Sequence, residues 1–159
     1  NTHIEKVGGP GKEFWVFGTN YPNDAQPGRP DDANERGAWR IEVSPVIPAT
    51  ENYFLNVMQV ADNNCQQMNE VKRIDAKRII GVQIANRVVT FSKNGEPVSG
   101  KFDITINGNQ TMQFVLTDLV SGTWQIKKDG KVYISAMEVR SDDGILNFEG
   151  TAGHYEFLR

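Results

Sequence analysis

The sequence predicts an all-β protein, a β-sandwich of two antiparallel sheets with hairpin connections. Three observations carry this. Apolar and polar residues alternate in short runs, as in Trp39-Arg40-Ile41-Glu42-Val43, which turns one strand face to a core and the other to water. Asn94-Gly95, Asn107-Gly108, Asp129-Gly130 and Asp143-Gly144 punctuate the second half of the chain, and such dipeptides accept the positive φ of tight turns. No window of about a dozen residues carries an apolar period of 3.6, so little helix is expected.

Taken in order, strands are expected near Glu13–Phe17, Trp39–Val43, Tyr53–Ala61, Asn69–Ile74, Arg78–Ile84 and Arg87–Ser92. Others follow near Lys101–Ile106, Met112–Leu116, Thr123–Lys127, Lys131–Ala136, Ile145–Glu149 and His154–Leu158. Tyr53–Val60 is apolar on nearly every residue, the pattern of a strand covered on both faces. Asp129-Gly130 lies between two alternating runs and marks a two-residue hairpin. Period-2 patterning assigns Trp39, Ile41, Val43, Leu55, Val57, Phe102, Ile104, Ile106, Phe114, Leu116, Trp124, Ile126, Leu146 and Phe148 to the core. Thr19–Gly37, rich in Pro, Gly, Asn and Asp, is the one long irregular stretch. No repeat or low-complexity linker divides the chain, so a single domain over residues 1–159 is expected.

Composition narrows the class. At 159 residues and 38% hydrophobic content, the chain can bury one core and is not of the disordered type. A net charge of −3 gives no basic field for nucleic acid. No run reaches the roughly 20 apolar residues of a membrane-spanning helix, and neither nucleic acid nor membrane is an expected partner. Cys65 is the single cysteine and lacks the paired spacing of a zinc or redox motif. The chain begins at Asn1 rather than Met, as a processed or excised chain would.

Reactive groups are few. His3 sits in what should be a frayed terminus, and His154 stands beside Tyr155 before the last strand. A His-Tyr pair could supply the base and acid of an eliminative cleavage. Neighbouring strand residues point to opposite faces, however, so the two should diverge and His154 should be structural. No residue is assigned a catalytic role. Asp31, Asp32 and Glu35, or Asp142 and Asp143, have oxygen ligands of the kind Ca²⁺ takes. Neither set has a regular ligand spacing, and Asp is favoured at turns anyway. No metal and no cofactor is expected. Gly8-Gly9-Pro10-Gly11 lacks the ending of a phosphate loop, and the Asn109-Gln110-Thr111 sequon falls in a turn.

Two features could meet a glycan. Lys72, Arg73, Lys77 and Arg78 could hold the carboxylate or sulfate groups of an acidic polysaccharide, weakly and with strong salt sensitivity. Among the aromatics, Trp39 and Trp124 fall in phase with core residues, which leaves Trp15 and Tyr21 as candidates for stacking on a sugar.

Several segments also carry a resemblance. These are GGPGKEFWVFGTNYP at Gly8–Pro22, AWRIEVSP at Ala38–Pro45, YFLNVMQVAD at Tyr53–Asp62, GTWQIKKDGKV at Gly122–Val132 and GILNFEGTAGHYEF at Gly144–Phe157. Together they resemble the β-rich C-terminal part of bacterial heparinase II/III-like polysaccharide lyases. The resemblance implies a two-sheet sandwich that buttresses a helical catalytic domain of the parent chain and in some members lines one wall of the substrate cleft. It also implies a periplasmic or secreted protein acting on acidic, uronate-containing polysaccharide. The family's catalytic His and Tyr belong to the helical domain, so no residue here inherits them. A free-standing carbohydrate-binding module is the alternative reading.

Overall fold

The structure, a computed structural model, describes residues 2–12, 14–21 and 39–159. Among these there is no helix. Thirteen strands follow in order: β1 (Thr2–Gly8), β2 (Trp15–Val16), β3 (Thr19–Asn20), β4 (Trp39–Pro45), β5 (Val71–Asp75), β6 (Ile79–Ile84), β7 (Arg87–Ser92), β8 (Phe102–Ile106), β9 (Met112–Leu116), β10 (Gly122–Lys128), β11 (Lys131–Val139), β12 (Leu146–Gly150) and β13 (Gly153–Leu158). They fall into two compact units, Asn1–Phe54 and Leu55–Arg159.

The first unit holds two small antiparallel ribbons, β1 with β4 and β2 with β3. The N-terminal segment expected to fray is therefore a paired strand, with His3 opposite Ser44. Trp39, Ile41 and Val43 do share one face of β4, as their alternation requires. That face is not a buried core: Trp39 is 49% and Ile41 69% exposed. Alternation tells which side of a strand is apolar, and a two-stranded ribbon brings no second layer of its own. Trp39 instead covers the backbone at Gly9, where an added Cβ would lie 2.7 Å from the ring, and the Lys6 ammonium sits 4.1 Å from its centre.

The second unit is the sandwich. One sheet has the order β11-β10-β13-β8, the other β12-β9-β7-β6-β5. Burial alternates along β8, β9 and β12, so Phe102, Ile104, Ile106, Phe114, Leu116, Leu146 and Phe148 enter the core with Trp124 and Ile126. Each such side chain stabilises the fold by about 1.5–3 kcal/mol through removal from water. One pairing departs from the antiparallel expectation: β7 and β9 run parallel. The chain leaves β7, adds β8 to the opposite sheet and returns along β9, which restores its direction.

Tyr53–Ala61 forms no strand, and Val57 is exposed at 38%. A run that is apolar at nearly every position has no period with which to fix a face or a register. Its ordered feature is a clasp: the Gln59 side-chain amide donates to the Asn69 carbonyl and accepts from the Asn69 N–H, both at 2.9 Å. Leu55 is likewise only partly buried.

Tyr155 sits where the two sheets meet. It is fully buried, with its ring 4.8 Å from Phe114 and 5.9 Å from Phe148 on the facing sheet. Its hydroxyl donates to the Thr151 carbonyl at 2.5 Å. Gly150 lets the ring pass, because an added Cβ would collide with the Tyr155 hydroxyl and lie 3.2 Å from the Phe114 ring. Along the same side Tyr133 of β11 donates to the Glu149 carbonyl (2.9 Å) and closes the seam to β12. The opposite seam, between β5 and β8, is crossed by the Gln83 side-chain amide, which donates to the Asn107 carbonyl at 2.7 Å. Edge strand β11 is blunted by two register shifts against β10, each placing an extra residue on β11. Such bulges discourage further strand addition.

Asp129 (φ 51°) and Gly130 (φ 77°) form the expected two-residue turn between Lys128 and Lys131. Nothing lies within 4 Å of a Cβ at Gly130, so strain at that position is purely conformational. Gly130→Val should cost about 1–3 kcal/mol in chemical denaturation through positive φ alone. Gly150→Ala should cost a similar 1–3 kcal/mol by overpacking, and its effect should shrink in a Tyr155→Phe background, where the hydroxyl it strikes is gone. Burial pushes the Tyr155 phenol up to about 12, against about 10 in an unfolded chain. A raised folded value contributes stability that is complete below pH 10 and is lost as pH rises toward 12. Alkaline unfolding curves of the wild type should therefore fall more steeply over that window than those of Tyr155→Phe.

Candidate functional site

The sequence places the basic cluster on β5 and the turn after it, at the open seam. Two adjoining cavities of about 400 and 210 Å³ follow that seam and share Lys72, Gln83 and Asn107 in their walls. The larger runs from Lys72, Arg73 and Lys77 across to Asp103 and Thr105 of β8. The smaller continues over the loop after β8, past Asn109 and Gln110. Polar residues face this groove because β5 and β8 are the outer strands of their sheets, where alternate side chains meet water rather than a third layer.

The four expected cations do not form one free basic patch. Lys72 pairs with Glu70 at 3.2 Å and Arg73 with Asp75 at 2.5 Å. Arg78 does not line either cavity, and donates to the Ser99 carbonyl at 2.8 Å. Lys77 has no ion pair among the described residues. Asp75 also receives Lys93 at 2.6 Å. That ammonium, through its hydrogen bond, is the main reason the Asp75 carboxyl lies below the usual carboxylate range. The structure closes Glu70 and Asp75 on Lys72 and Arg73, each two residues away along the chain; sequence reasoning counted them as an offset that leaves a net +2 over Glu70–Arg78. It did not find Gln83, Thr105 or Asn107, which come to the seam from other strands and carry no local signal.

Trp15 and Tyr21 lie in the first unit. Trp15 is partly buried in β2, with the Lys12 ammonium 5.3 Å from its ring centre. Tyr21 is 59% exposed. Asp31, Asp32 and Glu35 fall outside the described residues. Asp142 and Asp143 serve a turn: Asp143 accepts from the Ile145 N–H (3.1 Å) and from Arg140 (2.6 Å). Arg140 thereby holds the Asp143 carboxyl below its ordinary range. Among the described residues no three His, Cys, Asp or Glu side chains are grouped as a metal site. No described helix is long and apolar enough to cross a membrane.

His154 and Tyr155 diverge. His154 pairs in register with Thr105 on the wet face of β13, and Tyr155 pairs with Ile104 on the buried face. The His154 Nδ1 lies 3.1 Å from the Thr105 hydroxyl, and its Nε2 lies 4.0 Å from Asp103. Its backbone is fixed by the hairpin tip: the Asp129 carboxylate accepts from the His154 N–H at 2.9 Å, and the Asp129 N–H donates to the His154 carbonyl at 2.8 Å. With the phenol in the core and the imidazole outside it, the two cannot meet one substrate atom. On the same face Lys101 pairs with Glu156, and its hydrogen bond keeps that carboxyl below the usual range.

No curated protein matches the chain. A family model, the heparinase II C-terminal domain, matches residues 73–159. The match takes in the sandwich from β5 onward, including the closing hairpins, and leaves out the Gly8–Pro22 and Ala38–Asp62 segments that also carried the resemblance. With more than half of its residues matched and the all-β sandwich in place, the chain belongs to the heparinase II C-terminal domain family.

Proposed function

We propose that this chain is the non-catalytic β-module of a polysaccharide lyase that acts on acidic, uronate-containing polysaccharides. In this reading it supports the helical catalytic domain of the parent chain and offers the β5–β8 seam to substrate. Family membership supports the lyase part of this reading. The observation that carries the non-catalytic part is the separation of His154 from Tyr155 on opposite faces of β13. Elimination needs a base at the proton beside the carboxylate, an acid at the leaving oxygen and a partner for the developing charge. The substrate would be met outside the cytosol, so the reading includes a periplasmic or secreted location. The groove favours glycan contact by the same module, and in an isolated module that contact would amount to carbohydrate binding.

The test is absorbance at the unsaturated-uronate band with heparin, heparan sulfate, chondroitin and alginate. The chain alone should give no product. Steady product formation that disappears in His154→Ala would overturn the non-catalytic reading.

A further inference from the structure

We propose that the β5–β8 seam groove binds glycan through sugar hydroxyl groups rather than through sulfate or carboxylate substituents. The proposal rests on the reading of the chain as a lyase module and specifies what that module's groove recognises. Charge is the first ground. Lys72, Arg73 and Lys77 line the two cavities, and so do Glu70, Asp75 and Asp103. Three cations meet three carboxylates, and two of the pairs are closed at 3.2 and 2.5 Å. A polyanion entering this groove would break those pairs or face the carboxylates, and exposed charges add little attraction at physiological ionic strength.

The neutral groups are the second ground. Gln83, Asn107 and Thr105 line the larger cavity, and Asn109 and Gln110 extend the smaller one. Amides and hydroxyls both donate and accept hydrogen bonds, as sugar hydroxyls do, and a carboxylate accepts from a sugar hydroxyl as readily. Two of the amides are fixed in place: Gln83 donates to the Asn107 carbonyl across the seam, and Gln110 to the Ala85 carbonyl, both at 2.7 Å. Pre-set donors and acceptors lower the ordering cost of binding. The groove therefore has the chemistry of a polyol site, with four of its six charges paired to each other.

The experiment follows backbone amide shifts of the 159-residue protein during titration with two probes. One is a heparin tetrasaccharide; the other is the same tetrasaccharide with sulfates removed and carboxyls reduced. Each is run at about 0.05 and about 0.5 M NaCl, which spans a threefold change in screening length. The neutral probe should bind at least as well as the sulfated one, shift amides of β5 and β8, and change affinity by less than about twofold with salt. Gln83→Met and Thr105→Val, which keep volume and remove hydrogen-bonding groups, should each weaken it by about fivefold or more. Circular dichroism checks that each variant is folded, and Thr105→Val stands if Gln83→Met is not. Binding restricted to the sulfated probe and abolished by salt would overturn the proposal, as would shifts that avoid both strands. Absence of binding by either probe would overturn it too, while the lyase-module reading would still stand or fall on the elimination assay.

Discussion

The structure depends on one contact, the seating of Tyr155 between the sheets. Its ring meets Phe114 and Phe148 of the facing sheet and lies edge-on to Tyr133 at 6.1 Å. Aromatic groups at these spacings add about 0.5–1.5 kcal/mol per pair beyond the area they bury. The hydroxyl cannot be left unpaired at that depth without a cost of about 1–3 kcal/mol, and the Thr151 carbonyl satisfies it. This bond fixes the connection between β12 and β13, which in turn requires Gly150 to have no side chain. A single residue thus couples sheet packing, loop conformation and the identity of a glycine.

The same seat decides what the outer surface can do. Once Tyr155 is in the core, strand alternation obliges His154 to face water beside Thr105. The seam on the Tyr133 side is closed by a hydrogen bond to Glu149, and the groove lies along the other side, between β5 and β8, where Gln83 bonds to the Asn107 carbonyl within it. The turn at Asp129-Gly130 serves this arrangement, since the Asp129 carboxylate and N–H bind both backbone groups of His154.

The sandwich was legible because its strands alternate cleanly. Met112–Leu116 and Arg87–Ser92 coincide with the expected bounds, and Trp124 lies in the core as its phase with Ile126 demands. Where the alternation ended, legibility ended with it. Tyr53–Val60 is apolar on nearly every residue, which is compatible with a covered strand but fixes no strand partner, and it forms no strand. Trp39 and Ile41 alternate as well as any core residue, yet their ribbon has two strands and their face is exposed. The parallel β7–β9 pair was hidden because strand direction follows from the sheet in which β8 lies, a non-local fact. For the groove, the cations were visible in sequence. So were Glu70 and Asp75, which stand two residues from Lys72 and Arg73, the spacing that shares a strand face; the amides brought from β6 and the loop after β8 join them only once the strands are laid side by side.

The central claim is that His154 and Tyr155 occupy opposite faces of one strand and so cannot act together. Solvent paramagnetic relaxation of side-chain protons, with a soluble gadolinium chelate, reads that claim directly. The account predicts strong enhancement for the His154 ring protons and almost none for the Tyr155 ring protons. Comparable enhancement of both rings would place them on one wet surface and contradict it.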